Sequence, residues 1–72
     1  MKESAEDFPN PISELPYNKM VELWMDREGV AVGELIFFEG ENKIFLEGTP
    51  RTREAAYYTS WFTGYREIIY PK

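Results

Sequence analysis

Between residues 21 and 46, apolar side chains fall on alternate positions: Val21, Leu23 and Met25, then Val30, Val32, Leu35 and Phe37, then Ile44 and Leu46. Charged or small residues largely occupy the positions between. A period near two over short runs predicts half-buried strands. Two turn segments, Asp26-Arg27-Glu28-Gly29 and Glu39-Gly40-Glu41-Asn42, separate the runs. Gly and Asn tolerate the positive φ that hairpin connections demand, so the stretch reads as a meander of three antiparallel strands. Gly33 lies inside the middle strand, where a missing side chain weakens pairing, and predicts a bulge, a bend or a close backbone approach. A bent central strand lets a small sheet curl toward a barrel.

The flanking segments are less regular. Residues 1–9 are polar and acidic as far as Asp7 and predict a disordered or extended tail, leaving residues 10–72 as the single domain. Phe8-Pro9-Asn10-Pro11 is extended, because a residue before proline avoids the α region. Residues 11–15 supply either one helical turn, with Asn10 as N-cap and Pro11 at N1, or an irregular proline-rich lead-in ended by Pro16. From Thr52 to Tyr58 helix formers follow a cap residue, whereas Tyr57 to Thr63 is rich in strand formers; the residues alone support either element.

Size and composition change this picture in one respect. A chain of 72 residues buries only roughly 60% of its unfolded surface, so its core needs reinforcement. With no Cys and no His, neither a disulfide nor structural zinc supplies it, and oligomerisation is the remaining common device. The aromatic content of 17% suits extensive contact surfaces. No apolar run approaches the roughly 20 residues that span a bilayer, and no basic-then-apolar leader opens the chain, so no membrane association is expected and the location is expected to be cytoplasmic.

The order Val21-x-Leu23, an acidic turn with Gly29, Gly33-x-Leu35-x-x-Phe38-Glu39, and Asn42-Lys43-x-x-Leu46-Glu47 resembles the first signature of the Sm-like (LSm/Hfq) RNA-binding proteins. Spacing from Gly33 to Leu46 matches that family without a gap. The run from Trp61 to Pro71 is similar to its second signature, two short strands around a Gly-containing turn. The resemblance implies a mainly β fold: a small, strongly bent, five-stranded antiparallel SH3-like barrel with a short N-terminal helix, assembling into a homo-oligomeric ring of roughly five to eight subunits. It selects a loop at residues 49–52 and a long fourth strand at residues 55–63. In the family the fourth strand of one subunit pairs with the fifth of its neighbour, which implies an interface of Tyr57, Tyr58, Trp61, Phe62, Ile68 and Tyr70.

The function implied is non-covalent RNA binding, as a chaperone or an RNP scaffold. The family's two RNA loops fall on Glu39, Asn42 and Lys43 and on Gly64, Tyr65 and Arg66, with Asn42 reading a base edge and Lys43 and Arg66 meeting phosphates. Departures lie at the usual uridine pocket: Glu39 stands where the family has Asp, Asn42-Lys43 where it has an aromatic or Met before Asn, and Thr63 where it has the Arg of an Arg-Gly pair. The residues by themselves leave Asn42 and Lys43 equally at home finishing a hairpin turn, and read Arg51-Thr52-Arg53 as a solvated loop ahead of a phosphate contact.

Charge opposes generic DNA binding: eight basic against thirteen acidic residues give a net charge of −5. It opens an alternative, an acidic protein-interaction module or nucleic-acid mimic displaying Glu34, Glu39, Glu41, Glu47 and Glu54. Enzymatic activity is not expected, because a chain without His or Cys lacks the usual general base near neutrality and the strongest nucleophile. Glu39 and Glu41 read as a solvated turn rather than an acid/base pair or hard-cation loop, and no cofactor or metal is expected.

Overall fold

In the computed structural model, which describes residues 3–69, six short strands form one antiparallel sheet: β1 (Asn10–Pro11), β2 (Val21–Met25), β3 (Gly29–Phe38), β4 (Glu41–Leu46), β5 (Tyr57–Tyr58) and β6 (Phe62–Arg66). Their order is β1-β6-β2-β3-β4-β5, so the sheet ends at β1 and β5 and does not close on itself. The mainly β class and the three-strand meander are as expected. The count is six rather than five, and the added strand is β1.

β3 is shared between two partners. Residues 29–33 pair with β2, from Met25 opposite Gly29 to Val21 opposite Gly33. Residues 33–38 pair with β4, from Leu46 opposite Gly33 to Glu41 opposite Phe38. Gly33 is therefore the pivot, and a Cβ there would stand 2.6 Å from the Phe45 carbonyl oxygen. Both ladders run through it without slipping, so it marks a close backbone approach rather than a bulge. The register shift of this sheet lies instead between β2 and β6, at Trp24 and Met25. Glu39 and Gly40 both hold positive φ, 51° and 83°, and make the two-residue type I′ turn whose twist matches the strands it joins.

Val21, Leu23 and Met25 project from one side of β2 into a core with Leu15, Leu35, Ile44, Phe62 and Tyr65. Phe45 is fully buried on the other side of β4, edge-on to Phe38 at 5.2 Å and beneath the Arg51 guanidinium. The lead-in is packed rather than trailing: Ala5–Asp7 form a 3-10 turn, and Phe8 is buried against Trp24, 5.6 Å between ring centroids. A second 3-10 turn, Ile12–Glu14, takes the place of the short N-terminal helix. Its N-cap is Pro11, not Asn10, whose side-chain amide instead donates to the Tyr65 carbonyl.

The long fourth strand at residues 55–63 does not form. Arg53–Ala55 are a 3-10 turn, Tyr57–Tyr58 pair briefly with β4, and a further 3-10 turn at Thr59–Trp61 leads into β6. Three residues per turn break the two-residue alternation of a strand. Tyr57 and Phe62 consequently meet on the same side, with ring centroids 6.0 Å apart, instead of facing opposite ways. In place of the two short strands expected around a Gly-containing turn between Trp61 and Pro71, a single strand runs through Gly64 and ends at Arg66; Ile68 and Ile69 continue without strand pairing, and Tyr70 lies outside the described residues.

Candidate functional site

The loop residues expected to hold RNA divide between the two halves of the sheet. Glu39, Asn42 and Lys43 belong to the β3–β4 hairpin, whereas Gly64, Tyr65 and Arg66 lie on β6, with β2 in between. The β6 group is structural. A Cβ on Gly64 would meet the Phe8 carbonyl oxygen at 2.4 Å, because the lead-in crosses directly over it. Tyr65 is buried, and its hydroxyl donates to the Glu14 carbonyl at 3.3 Å, tying the Ile12–Glu14 turn to the sheet. Arg66 donates from Nε to Glu22 at 2.6 Å and grips both carboxylate oxygens of Glu3, over the face of Phe8 at 4.2 Å. Its hydrogen bonds to the Glu3 and Glu22 carboxylates raise its pKa above the already high value of arginine, so it is a charge neutralised in place.

At the hairpin, strand alternation sends Asn42 and Lys43 to opposite faces. Lys43 lies opposite Tyr58 in the β4–β5 ladder, with its Nζ 4.1 Å above the Tyr58 ring centroid and 3.9 Å from Glu41. Arg53 closes this side by pairing with Glu39 at 3.0 Å, and the residues surround a groove of about 240 Å³. Asn42 accepts a hydrogen bond from the Tyr17 hydroxyl at 2.8 Å on the other side, in a second groove of about 320 Å³ that also takes in Ser13 and Thr59. Base reading by Asn42 and phosphate contact by Lys43 thus do not share one surface. Tyr17 and Thr59, the neighbours Asn42 does have, come from a loop and a 3-10 turn with no periodic signal.

The interface set is likewise split. Phe62 is core and Tyr57 packs against both it and Trp61, while Tyr58 and Trp61 keep 58% and 46% exposure and Ile68 is half-buried. The edge of β6 is occupied by β1, with Asn10 opposite Tyr65 and Pro11 opposite Gly64.

The balance of charge is the most general feature. Of the six basic side chains within residues 3–69, five hold a carboxylate: Lys19 with Glu67, Lys43 with Glu41, Arg51 with Glu34, Arg53 with Glu39, and Arg66 with Glu3 and Glu22. Of the five carboxylates expected to form an acidic face, Glu34, Glu39 and Glu41 are engaged in this way. Among the described residues Asp26, Glu28, Glu47 and Glu54 hold no cation, and Glu28 and Glu47 flank a third groove, of about 410 Å³, beside the first half of β3. No buried side-chain polar atom lacks a partner among the described residues, and no three or more acidic side chains converge as a metal cluster. No helix there is long and apolar enough to cross a membrane.

No family model, curated protein or solved structure matches this chain.

Proposed function

We propose that this chain is a non-catalytic, acidic interaction module that recognises a basic protein segment. The observation that carries the reading is the pairing of five described cations with the chain's own carboxylates, which leaves the unneutralised charge negative. A phosphate-binding surface needs cations that can exchange small counterions for phosphates, and cations held by carboxylates do this poorly. Unpaired carboxylates steer a basic partner by long-range attraction that salt weakens.

A second reading, Sm-like RNA binding, draws support from the groove where Tyr17, Asn42 and Thr59 gather an aromatic ring, an amide and a hydroxyl. Such groups stack on a base and read its edge without net positive charge. In this reading the curled sheet is an Sm-like barrel and its subunits form a ring, for which β6 must release β1 or recruit another edge.

Fluorescence anisotropy separates the two. A labelled unstructured polypeptide rich in Lys and Arg, and short U-rich and A-rich RNAs, are titrated with the protein at about 0.15 M salt. Saturable binding of the basic polypeptide with no RNA binding supports the interaction module. RNA binding that is lost in Asn42→Ala or Lys43→Glu overturns it in favour of the second reading, and light scattering then reports whether a ring accompanies it.

A further inference from the structure

The first half of β3 has a partner on one side only. β2 pairs with residues 29–33, while β4 reaches β3 only from Gly33 onward. Beyond the end of β4, a single backbone hydrogen bond, from the Glu47 N–H to the Val32 carbonyl at 2.8 Å, touches the outer edge of this segment. Backbone groups of alternate residues in a strand face the same side, so the N–H and C=O of Val30 point the same way as those of Val32, into the gap. Gly48, with φ 83°, turns the chain away after Glu47, and the Thr49 N–H folds back onto the Leu46 carbonyl instead of continuing the ladder.

Apolar side chains floor the gap. Ala31, Leu46 and Tyr57 rest on the core from above yet remain partly exposed, and they line the same groove with Met25, Val30 and Val32. Val30 is 42% exposed. Glu28 and Glu47 stand in the lining of this groove, both exposed and without a cation among the described residues. An unpaired strand edge above an apolar floor is the arrangement that accepts an added strand. The flanking charge identifies the occupant, since two copies of this chain paired at this edge would bring Glu28 and Glu47 of one against those of the other.

We propose that residues 29–32 are the docking edge for an extended basic segment of a partner protein, which adds a strand beside β3. About four residues of the segment lie along the edge at roughly 3.3 Å each. An apolar side chain of the segment enters the floor of Ala31, Leu46 and Tyr57, and flanking Lys or Arg side chains meet Glu28 and Glu47. The proposal specifies the surface of the interaction module and rests on that reading.

The probe is a fluorescein-labelled peptide alternating Lys or Arg with Val, compared with versions N-methylated on one or the other set of alternate amides. Methylation removes the backbone donors on a single edge of the peptide and leaves its charge intact. The expected result is saturable binding, a loss of about tenfold or more for one N-methyl version only, and a loss of about tenfold in Glu28→Gln with Glu47→Gln. Val30→Pro removes the edge N–H at a position where proline is tolerated, and weakens the unmethylated peptide similarly. Circular dichroism reports whether that variant folds, and the methylated peptides test the wild-type chain regardless. Equal binding of both N-methyl versions, or indifference to the Glu28 and Glu47 changes, overturns the docking edge while leaving the interaction module in place; failure of the longer basic polypeptide to bind overturns both.

Discussion

The two halves of β3 belong to one continuous strand but are paired along opposite edges. Beyond Gly33 the strand is flanked by β4, β4 is flanked in turn by β5, and the charges at the tip are matched, Glu39 by Arg53 and Glu41 by Lys43. Before Gly33 the outer edge is bare apart from one hydrogen bond, and the acidic residues beside it are unmatched. The difference arises from length: β4 ends at Leu46, Gly48 turns away, and β5 is only two residues long. A short strand covers a short edge, and what it leaves bare is where another chain can pair. Along its β4 side the strand is therefore closed beyond Gly33 and open before it, while along its β2 side the order reverses, with only the Asn18 N–H reaching the Leu35 carbonyl beyond Gly33.

The largest way to break this contrast is at the pivot. Gly33→Ala places a methyl 2.6 Å from the Phe45 carbonyl oxygen and 3.2 Å from the Leu46 Cα, both backbone atoms that cannot rotate aside. Prising β4 from β3 there should cost about 1–3 kcal/mol, measured by urea denaturation, and should blur the distinction between the two halves. Gly40→Ala at the closed tip meets nothing within 4 Å, so its cost comes from φ alone. It should be about 1 kcal/mol by the same measurement, with the open edge unaffected.

Smaller effects sharpen the comparison. Arg53→Ala breaks an exposed ion pair at the closed tip, and should cost under about 1 kcal/mol, diminishing with added salt. Glu28→Gln and Glu47→Gln at the open edge should leave stability within about 0.5 kcal/mol of the wild type. With the proposed docking edge at the open end, only the Glu28 and Glu47 changes should alter peptide affinity.

The smallest expected change concerns pH. Arg66 has its pKa raised by Glu3 and Glu22, so the stability it contributes is fully present below its unfolded value and lost only as pH climbs through the still higher folded value. Both lie far above neutrality. The stability difference between the wild type and Arg66→Met should therefore be the same at about pH 7 and about pH 9, and should shrink with salt instead.

Legibility from sequence followed the same division as β3. The meander was plain because its side chains alternate over runs of five to ten residues and its turns carry Gly29 and Gly40 at positive φ. Residues 55–63 were not, because a stretch rich in strand formers says nothing of the 3-10 turn at Thr59–Trp61 that reverses which of them face inward. The candidate site was the least legible. Tyr65 and Gly64 look like a loop that meets a ligand until the lead-in is seen lying across them, and Tyr17 becomes a neighbour of Asn42 only across 25 residues of chain.

By itself the sequence determined the strand class, the hairpin turns and the negative charge, since these depend on neighbours a few residues apart and on counting. Tertiary structure alone decided which carboxylates found cations, that Phe8 and Phe45 are buried, and where β4 falls short of β3. Each of those depends on segments brought together from distant parts of the chain by packing, and no local period encodes their meeting.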